Sequence, residues 1–261
     1  MLGFIPIGSV LTIWFGYLLI SLFTFKIGSF TFWQPYPKTS YQIQVSGDIK
    51  TDLPVKVFIL DGYKAPQAII DKLHDANKKV ICQVSLGTVV KGTEDFNVLT
   101  EEMIGRKAIG DSVYVDIKSP TVMKVIENRL VDMSKKKCDG IDGTDAQNWN
   151  EQTGFTITKE DQIRYNVWIV NKAHEYGLSM GLHNDADQVT DLVDYYDFAV
   201  NDECVRLNEC EKYLPFVENN KAVFTVEYTG NKDEICPYAN EMELSVVFKS
   251  PQLGSEYQAC Q

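Results

Sequence analysis

The chain has 261 residues, 44% of them hydrophobic and 23% charged, and a formal net charge of −11. That length suits one large core better than two small domains, and the acidic balance argues against nucleic acid, whose phosphates require a basic patch. An acidic cleft instead raises the local concentration of a cationic ligand, although ordinary solubility also accounts for the charge.

In chain order, residues 2–25 carry no charged side chain, and Lys26 is the first charge. Gly3, Pro6 and Gly8 interrupt the start of this segment, which leaves an apolar core from Val10 to Ile20 compatible with a signal-peptide h-region. A basic n-region is missing apart from the amino terminus, and no clear small-residue cleavage site follows. Residues 1–28 read as a secretory signal peptide or an uncleaved signal-anchor, with a buried core helix as the alternative. The protein is expected to be secreted, or to meet a membrane only through this segment, and to be a monomer.

From Tyr41 onwards, short apolar runs alternate with helical patterns. Strands are expected over 41–45, 56–61, 79–86, 113–117, 139–142, 178–184, 196–201, 222–228 and 244–248. Helices are expected over 64–77, 119–137, 158–176, 186–195, 209–219 and 232–241. The helix at 119 opens with Ser119-Pro120 and the one at 158 with Thr158 and Asp161 at capping-box spacing. This rhythm implies parallel pairing. No G-x-G-x-x-G follows the first strand, which argues against a doubly wound dinucleotide fold. The expected architecture is α/β, a single TIM-type (β/α)8 barrel over residues 33–261, with one of the nine strand candidates accessory.

Five of the apolar runs end on an acid or amide: Asp61, Asp116, Asp142, Asn201-Asp202 and Glu227. A carboxylate at the end of a buried strand is costly to leave unpaired, and parallel barrels carry their chemistry at the carboxyl ends of their strands. For any one of these acids a helix N-cap is the alternative. The three histidines, His74, His174 and His183, show no zinc-ligand spacing, and there is no G-x-S-x-G elbow. Carboxylates therefore remain as the candidate chemistry, with no metal or cofactor expected, and two across a sugar ring suffice for glycoside hydrolysis. Trp33 and Trp149 are candidates to stack on a sugar, with plain packing as the alternative.

The six cysteines form an even set, as expected in an oxidising compartment. Cys204 and Cys210 flank a short stretch after a strand and are expected to pair, leaving Cys236 and Cys260 to pair with each other. Cys82, inside an apolar strand, reads as a free buried thiol.

Several of these segments, in order, resemble glycoside hydrolase family 114, the endo-α-1,4-polygalactosaminidase-like barrels. They are Gln42-Ile43-Gln44-Val45-Ser46-Gly47, the stretch Val80 to Gly87, Val115-Asp116-Ile117, and Asp139-Gly140-Ile141-Asp142 with Thr153-Gly154-Phe155. Gly181-Leu182-His183-Asn184, the stretch Phe198 to Cys204 with Cys210, and Lys221 to Phe224 with Val226-Glu227-Tyr228 complete the set. The resemblance implies an extracellular barrel that cleaves α-1,4-linked, partly deacetylated and therefore cationic galactosamine polymers. It implies a catalytic pair of Asp202 with Asp142 or Asp145, supported by Glu227. Asp61, Asp116, Trp33, Asn184, Glu203 and Tyr228 are the candidate substrate contacts.

The chain departs from the family pattern at the catalytic loop. Where the family reads V-E-P-D-N-x-D, this chain reads Ile141-Asp142-Gly143-Thr144-Asp145-Ala146-Gln147, so one family acid falls on Thr144 and another on Gln147. The family's N-E-Q-C becomes Asn201-Asp202-Glu203-Cys204, and the Lys of G-L-K-N becomes His183. An attenuated or inactive barrel that only binds cationic amino-sugar polymers is accordingly the alternative function.

Overall fold

The computed structural model describes residues 33–260. The signal or anchor segment expected over residues 1–28 lies outside them. Strand β1 (Tyr41–Gln44) is followed by β2 (Val57–Asp61), helix α1 (Gln67–Asp75) and β3 (Lys79–Ser85). A lateral insertion comes next: β4 (Thr88–Val90), α2 (Glu94–Asn97), β5 (Ile104–Lys107) and β6 (Ser112–Val115). Then follow α3 (Pro120–Lys135), β7 (Gly140–Thr144), α4 (Lys159–Glu175), β8 (Ser179–His183), α5 (Val189–Leu192), β9 (Phe198–Asp202) and α6 (Leu214–Glu218). The chain closes with β10 (Val223–Glu227), α7 (Lys232–Glu241), β11 (Ser245–Phe248) and β12 (Gln258–Ala259).

The helix starts follow their local chemistry. Thr158 accepts from the Asp161 amide while the Asp161 carboxylate accepts from the Thr158 amide, a reciprocal cap that opens α4. Pro120 occupies the first turn of α3, where a missing N–H costs nothing.

Strands β1, β2, β3, β7, β8, β9, β10 and β11 pair in that order, all parallel, and β12 adds antiparallel to β11, giving a curled nine-stranded sheet. The strands are buried on both faces, which explains their near-continuous apolar sequence. Alternate residues divide between two cores. Tyr41, Ile43, Val57, Ile59, Ile81, Phe198, Val200, Phe224, Val226 and Val247 fill the inside of the curl. Phe58, Leu60, Val80, Cys82, Ile141, Met180, Leu182, Ala199, Val223 and Val246 face the helices. Between β1 and β11 a C-terminal strap bridges the seam. The Val45 amide donates to the Leu253 carbonyl at 3.0 Å, and buried Lys249 donates to Gln42 Oε1, the Gly254 carbonyl and the Glu256 carbonyl.

Two sequence expectations change. The run 113–117 is the accessory strand: it pairs antiparallel with β4 and β5 in a separate three-stranded sheet, so Asp116 does not end a strand of the main sheet. Because that run leaves the main sheet, β7 takes the place beside β3, and the α3 crossover delivers Cys138 next to Cys82. The two form a disulfide, with Cα atoms 5.9 Å apart, so Cys82 is not a free thiol. Cys204–Cys210 and Cys236–Cys260 pair as expected.

Candidate active site

Two-residue alternation decides which side chains reach the inside of the curl at the carboxyl ends of the strands. Continuing inward from Ile59, Ile81, Val200 and Val226 gives Asp61, Gln83, Asp202 and Tyr228. Hydrogen bonds add Asp142 and His183 to this set. Gln83 Nε2 donates to Asp142 Oδ2 at 2.9 Å, and Asp142 Oδ1 lies 2.7 Å from His183 Nδ1. His183 Nε2 is 3.4 Å from Asp202 Oδ2. The Tyr228 hydroxyl donates to Asp202 Oδ1 at 3.1 Å, and the Asp202 amide donates to Asn184 Oδ1 at 2.9 Å. Four neighbouring strands thus contribute one continuous chain of polar groups, from Gln83 on β3 to Asp202 on β9.

Burial separates the two acids of that chain. Asp142 is 0% exposed, whereas the Asp202 side chain keeps 32% of its surface and lines an open cleft of about 350 Å³. Burial pushes the Asp202 carboxyl up, but the hydrogen bond and charge of His183, together with Tyr228 and Asn184, outweigh it and hold it below the ordinary aspartate value. Burial likewise opposes charge on His183, yet Asp142 and Asp202 hold the imidazole well above its ordinary range. The cleft therefore presents an ionised carboxylate backed by an imidazolium.

Asp145 reaches the same cleft by a different route. Thr144 ends β7, and Asp145 takes a left-handed backbone with φ 58°, so its side chain turns back toward β3. Its Oδ2 accepts from Ser85 Oγ at 2.7 Å and Thr88 Oγ1 at 3.0 Å. Gly87 makes this possible. A Cβ there would overlap the Asp145 carbonyl oxygen and sit 2.8 and 2.9 Å from the Asn148 side-chain polar atoms.

The remaining candidates are dispersed. Asn184 and Tyr228 line the cleft. Glu203 pairs bidentately with Arg206 at 2.6 Å and lines an adjoining recess with Asp185, Asp187, Asp202 and Glu209. In that recess Asp185 accepts from Trp149 Nε1 at 2.9 Å, and burial raises its carboxyl to about 6. Glu227 falls on the outward register of β10 with Val223 and Thr225. It is 0% exposed, accepts from the Val205 amide at 2.8 Å, and is pushed up by burial. Asp61 caps its own loop through the Tyr63 and Lys64 amides and borders a separate groove beside residues 44–49. Asp116 accepts from the Lys118 amide ahead of α3. Trp33 lies at the opposite end of the strands: its carbonyl accepts from Ser179, the first residue of β8, and Lys79, the first residue of β3, stands 5.9 Å from its ring.

Gln83 is a site residue that was not singled out from the sequence, and His183 was noted there only as a departure from the family's lysine. The usable signal was position: His183, like Asp202, ends an otherwise apolar strand, and Gln83, like Asp142, is a polar residue within one. The other histidines differ. His74 and His174 contact Asp139 and Asp197 just before β7 and β9, at the amino ends of the strands.

The family model of glycoside-hydrolase family GH114 matches residues 26–261. The chain belongs to family GH114. Among solved structures, Aspergillus fumigatus Ega3, crystallised with galactosamine, superposes with a TM-score of 0.81 at 27% identity, over 87% of this chain and 97% of that one. The glycoside hydrolase domain of PelA from Pseudomonas aeruginosa shares the fold, with a TM-score of 0.71 at 12% identity over 85% and 98% of the two chains. Eubacterium rectale Amy13B shares it more loosely, at a TM-score of 0.57 and 12% identity over 83% and 66%. No curated protein sequence gives a significant match. Thr144, Gln147 and His183, at which the sequence reading departs from the family pattern, all line the cleft.

Proposed function

We propose that this GH114 protein hydrolyses α-1,4 bonds in a galactosamine-containing polysaccharide, with Asp202 and Asp145 as the working carboxylates. The observation that carries the reading is the paired arrangement in one open cleft: an ionised Asp202 held by His183, Tyr228 and Asn184, facing a loop that brings Asp145 to the same space. Asp142, fully buried and occupied by Gln83 and His183, supports Asp202 instead of touching sugar. Galactosamine bound to Ega3, 27% identical to this chain, supports an amino sugar as the substrate unit. So does the acidic recess beside the cleft, which favours a protonated amine. Asn184 offers an amide to a hydroxyl or amino group, and its fixed bond to the Asp202 amide keeps both in register.

In this reading the eight parallel strands act as a (β/α)8 barrel whose seam is bridged by the Lys249 strap, and the three disulfides accord with secretion. A two-carboxylate reaction requires a group that protonates the leaving oxygen and one that attacks or activates water. Asp202, held ionised, suits the second role and Asp145 the first. The test is release of reducing ends from a partly deacetylated α-1,4-galactosamine polymer between about pH 4 and 8. Release that Asp145→Asn and Asp202→Asn each abolish supports the assignment. Binding with no release at any pH overturns it in favour of a binding protein.

A further inference from the structure

His183 is the one side chain lining the cleft, among the described residues, that can carry positive charge; the others are neutral or acidic. Both of its ring nitrogens face carboxylate oxygens, Nδ1 toward Asp142 at 2.7 Å and Nε2 toward Asp202 at 3.4 Å. A neutral imidazole donates from only one nitrogen, so in that state a lone pair must face one of the two carboxylates. The imidazolium donates to both. Asp142 is fully buried with a neutral Gln83 on its other oxygen, and a buried carboxylate needs a counter-charge in contact with it.

We propose that His183 is a titratable positioning residue: protonated and anchored by buried Asp142, it keeps Asp202 ionised and aimed, and that hold is lost when the imidazole deprotonates. The consequence for activity rests on the hydrolase reading; the electrostatic statement does not. The groups around the imidazole are Asp142 from β7 and Asp202 from β9, in contact with it, then neutral Gln83 from β3 on Asp142 and the Tyr228 phenol after β10 on Asp202. Tyr41 from β1 feels the same acids, and Asp145 and Glu151 stand along the cleft wall. All the charged members are acids, so none substitutes for the imidazolium. The consequence is an acid limb of turnover set by protonation of Asp202, at a midpoint that the His183 charge holds low; the alkaline limb is loss of the proton that the leaving-group acid, Asp145 in this reading, must carry.

The test compares the natural protein with His183→Gln and His183→Lys. Carboxyl-carbon NMR follows Asp202, assigned by its loss in Asp202→Asn, and reducing-end release is measured across the same pH range. In the natural protein the Asp202 signal should titrate below the ordinary aspartate range and shift again where the imidazole titrates. Glutamine, which removes the charge, should raise the Asp202 acid midpoint by at least about one pH unit, a tenfold change in its proton affinity. Lysine, a cation over a wider range, should keep that midpoint low and leave the acid limb of turnover where it lies in the natural protein. An Asp202 midpoint unchanged in His183→Gln overturns the proposal, and so does a midpoint in His183→Lys as high as in His183→Gln. If no form releases sugar, the hydrolase reading fails while the NMR midpoints still decide the role of His183. If His183→Gln does not fold, the lysine variant and the natural protein's second Asp202 transition carry the decision.

Discussion

Replacing Gly87 by alanine probes Asp145 without touching its carboxylate. A Cβ at position 87 would overlap the Asp145 carbonyl oxygen and press on Asn148 from 2.8 and 2.9 Å, while ordinary contact begins at 3.4 Å. The neighbours are loop backbone and a buried asparagine, so the loop itself must move by more than about 1 Å, and a 1 Å misplacement of catalytic groups costs about a hundredfold in rate. Overpacking of this kind costs about 1–3 kcal/mol of stability. For a domain of this size each kcal/mol lowers Tm by about 2–4 °C. Gly87→Ala is thus expected to fold with Tm reduced by several degrees and to lose about a hundredfold in kcat. Asp202 and its contacts stay in place, so binding of the polymer should change far less. The assay is initial-rate release of reducing ends beside a thermal melt. A variant with the predicted drop in Tm and an unchanged kcat would refute the role given to Asp145.

Glu227→Gln should leave turnover within a few-fold, because the side chain faces away from the cleft. Burial holds its carboxyl above the ordinary value of 4.5, so the folded protein keeps a proton that the unfolded chain releases, and ionisation opposes folding as pH rises through that value. The glutamine variant should therefore melt higher than the natural protein at neutral pH, with the gain vanishing below about pH 4; a loss of turnover would return Glu227 to the catalytic set. Removing the Cys82–Cys138 bridge by a double serine substitution releases a loop of sequence separation 56, and chain entropy puts the loss near 4 kcal/mol. Equal denaturation midpoints for the two forms would contradict that pairing. Ile109, 88% exposed at the tip of the β5–β6 hairpin, lines the cleft mouth. Ile109→Ser should raise KM and spare kcat if the tip packs on substrate, and unchanged kinetics would remove it from the binding surface.

The alternation of strands and helices was legible in the sequence because each crossover carries its own signals, such as the Thr158–Asp161 cap and Pro120. The side each strand residue faces was not. In strands buried on both faces, apolar residues occupy both parities, so Phe224-Thr225-Val226-Glu227 does not tell whether Val226 or Glu227 looks inward. For that reason Glu227 read as a cleft acid, whereas its neighbour Tyr228 is the one that meets Asp202. Asp116 was misplaced for a related reason: its strand has the composition of a sheet strand, and only long-range pairing assigns it to the lateral sheet. Trp33 precedes the first strand and so lies at the amino ends, a consequence of topology that local pattern does not carry. The substitutions at Thr144 and His183 were visible from the start. The reading proposed for them, with Asp145 taking the acid role and a histidine placed between two aspartates, required the left-handed turn at 145 and the register of β8 against β9.

The central claim is that Asp202, exposed in the cleft and held ionised, is required for bond cleavage and not for holding the polymer. The most direct measurement is a paired one on the natural protein and Asp202→Asn, recording both binding of a partly deacetylated α-1,4-galactosamine polymer and release of reducing ends. The account predicts that the natural protein binds and cleaves, while the asparagine variant binds with similar affinity and releases nothing. Cleavage that survives in Asp202→Asn, or a natural protein that binds without cleaving, would contradict it.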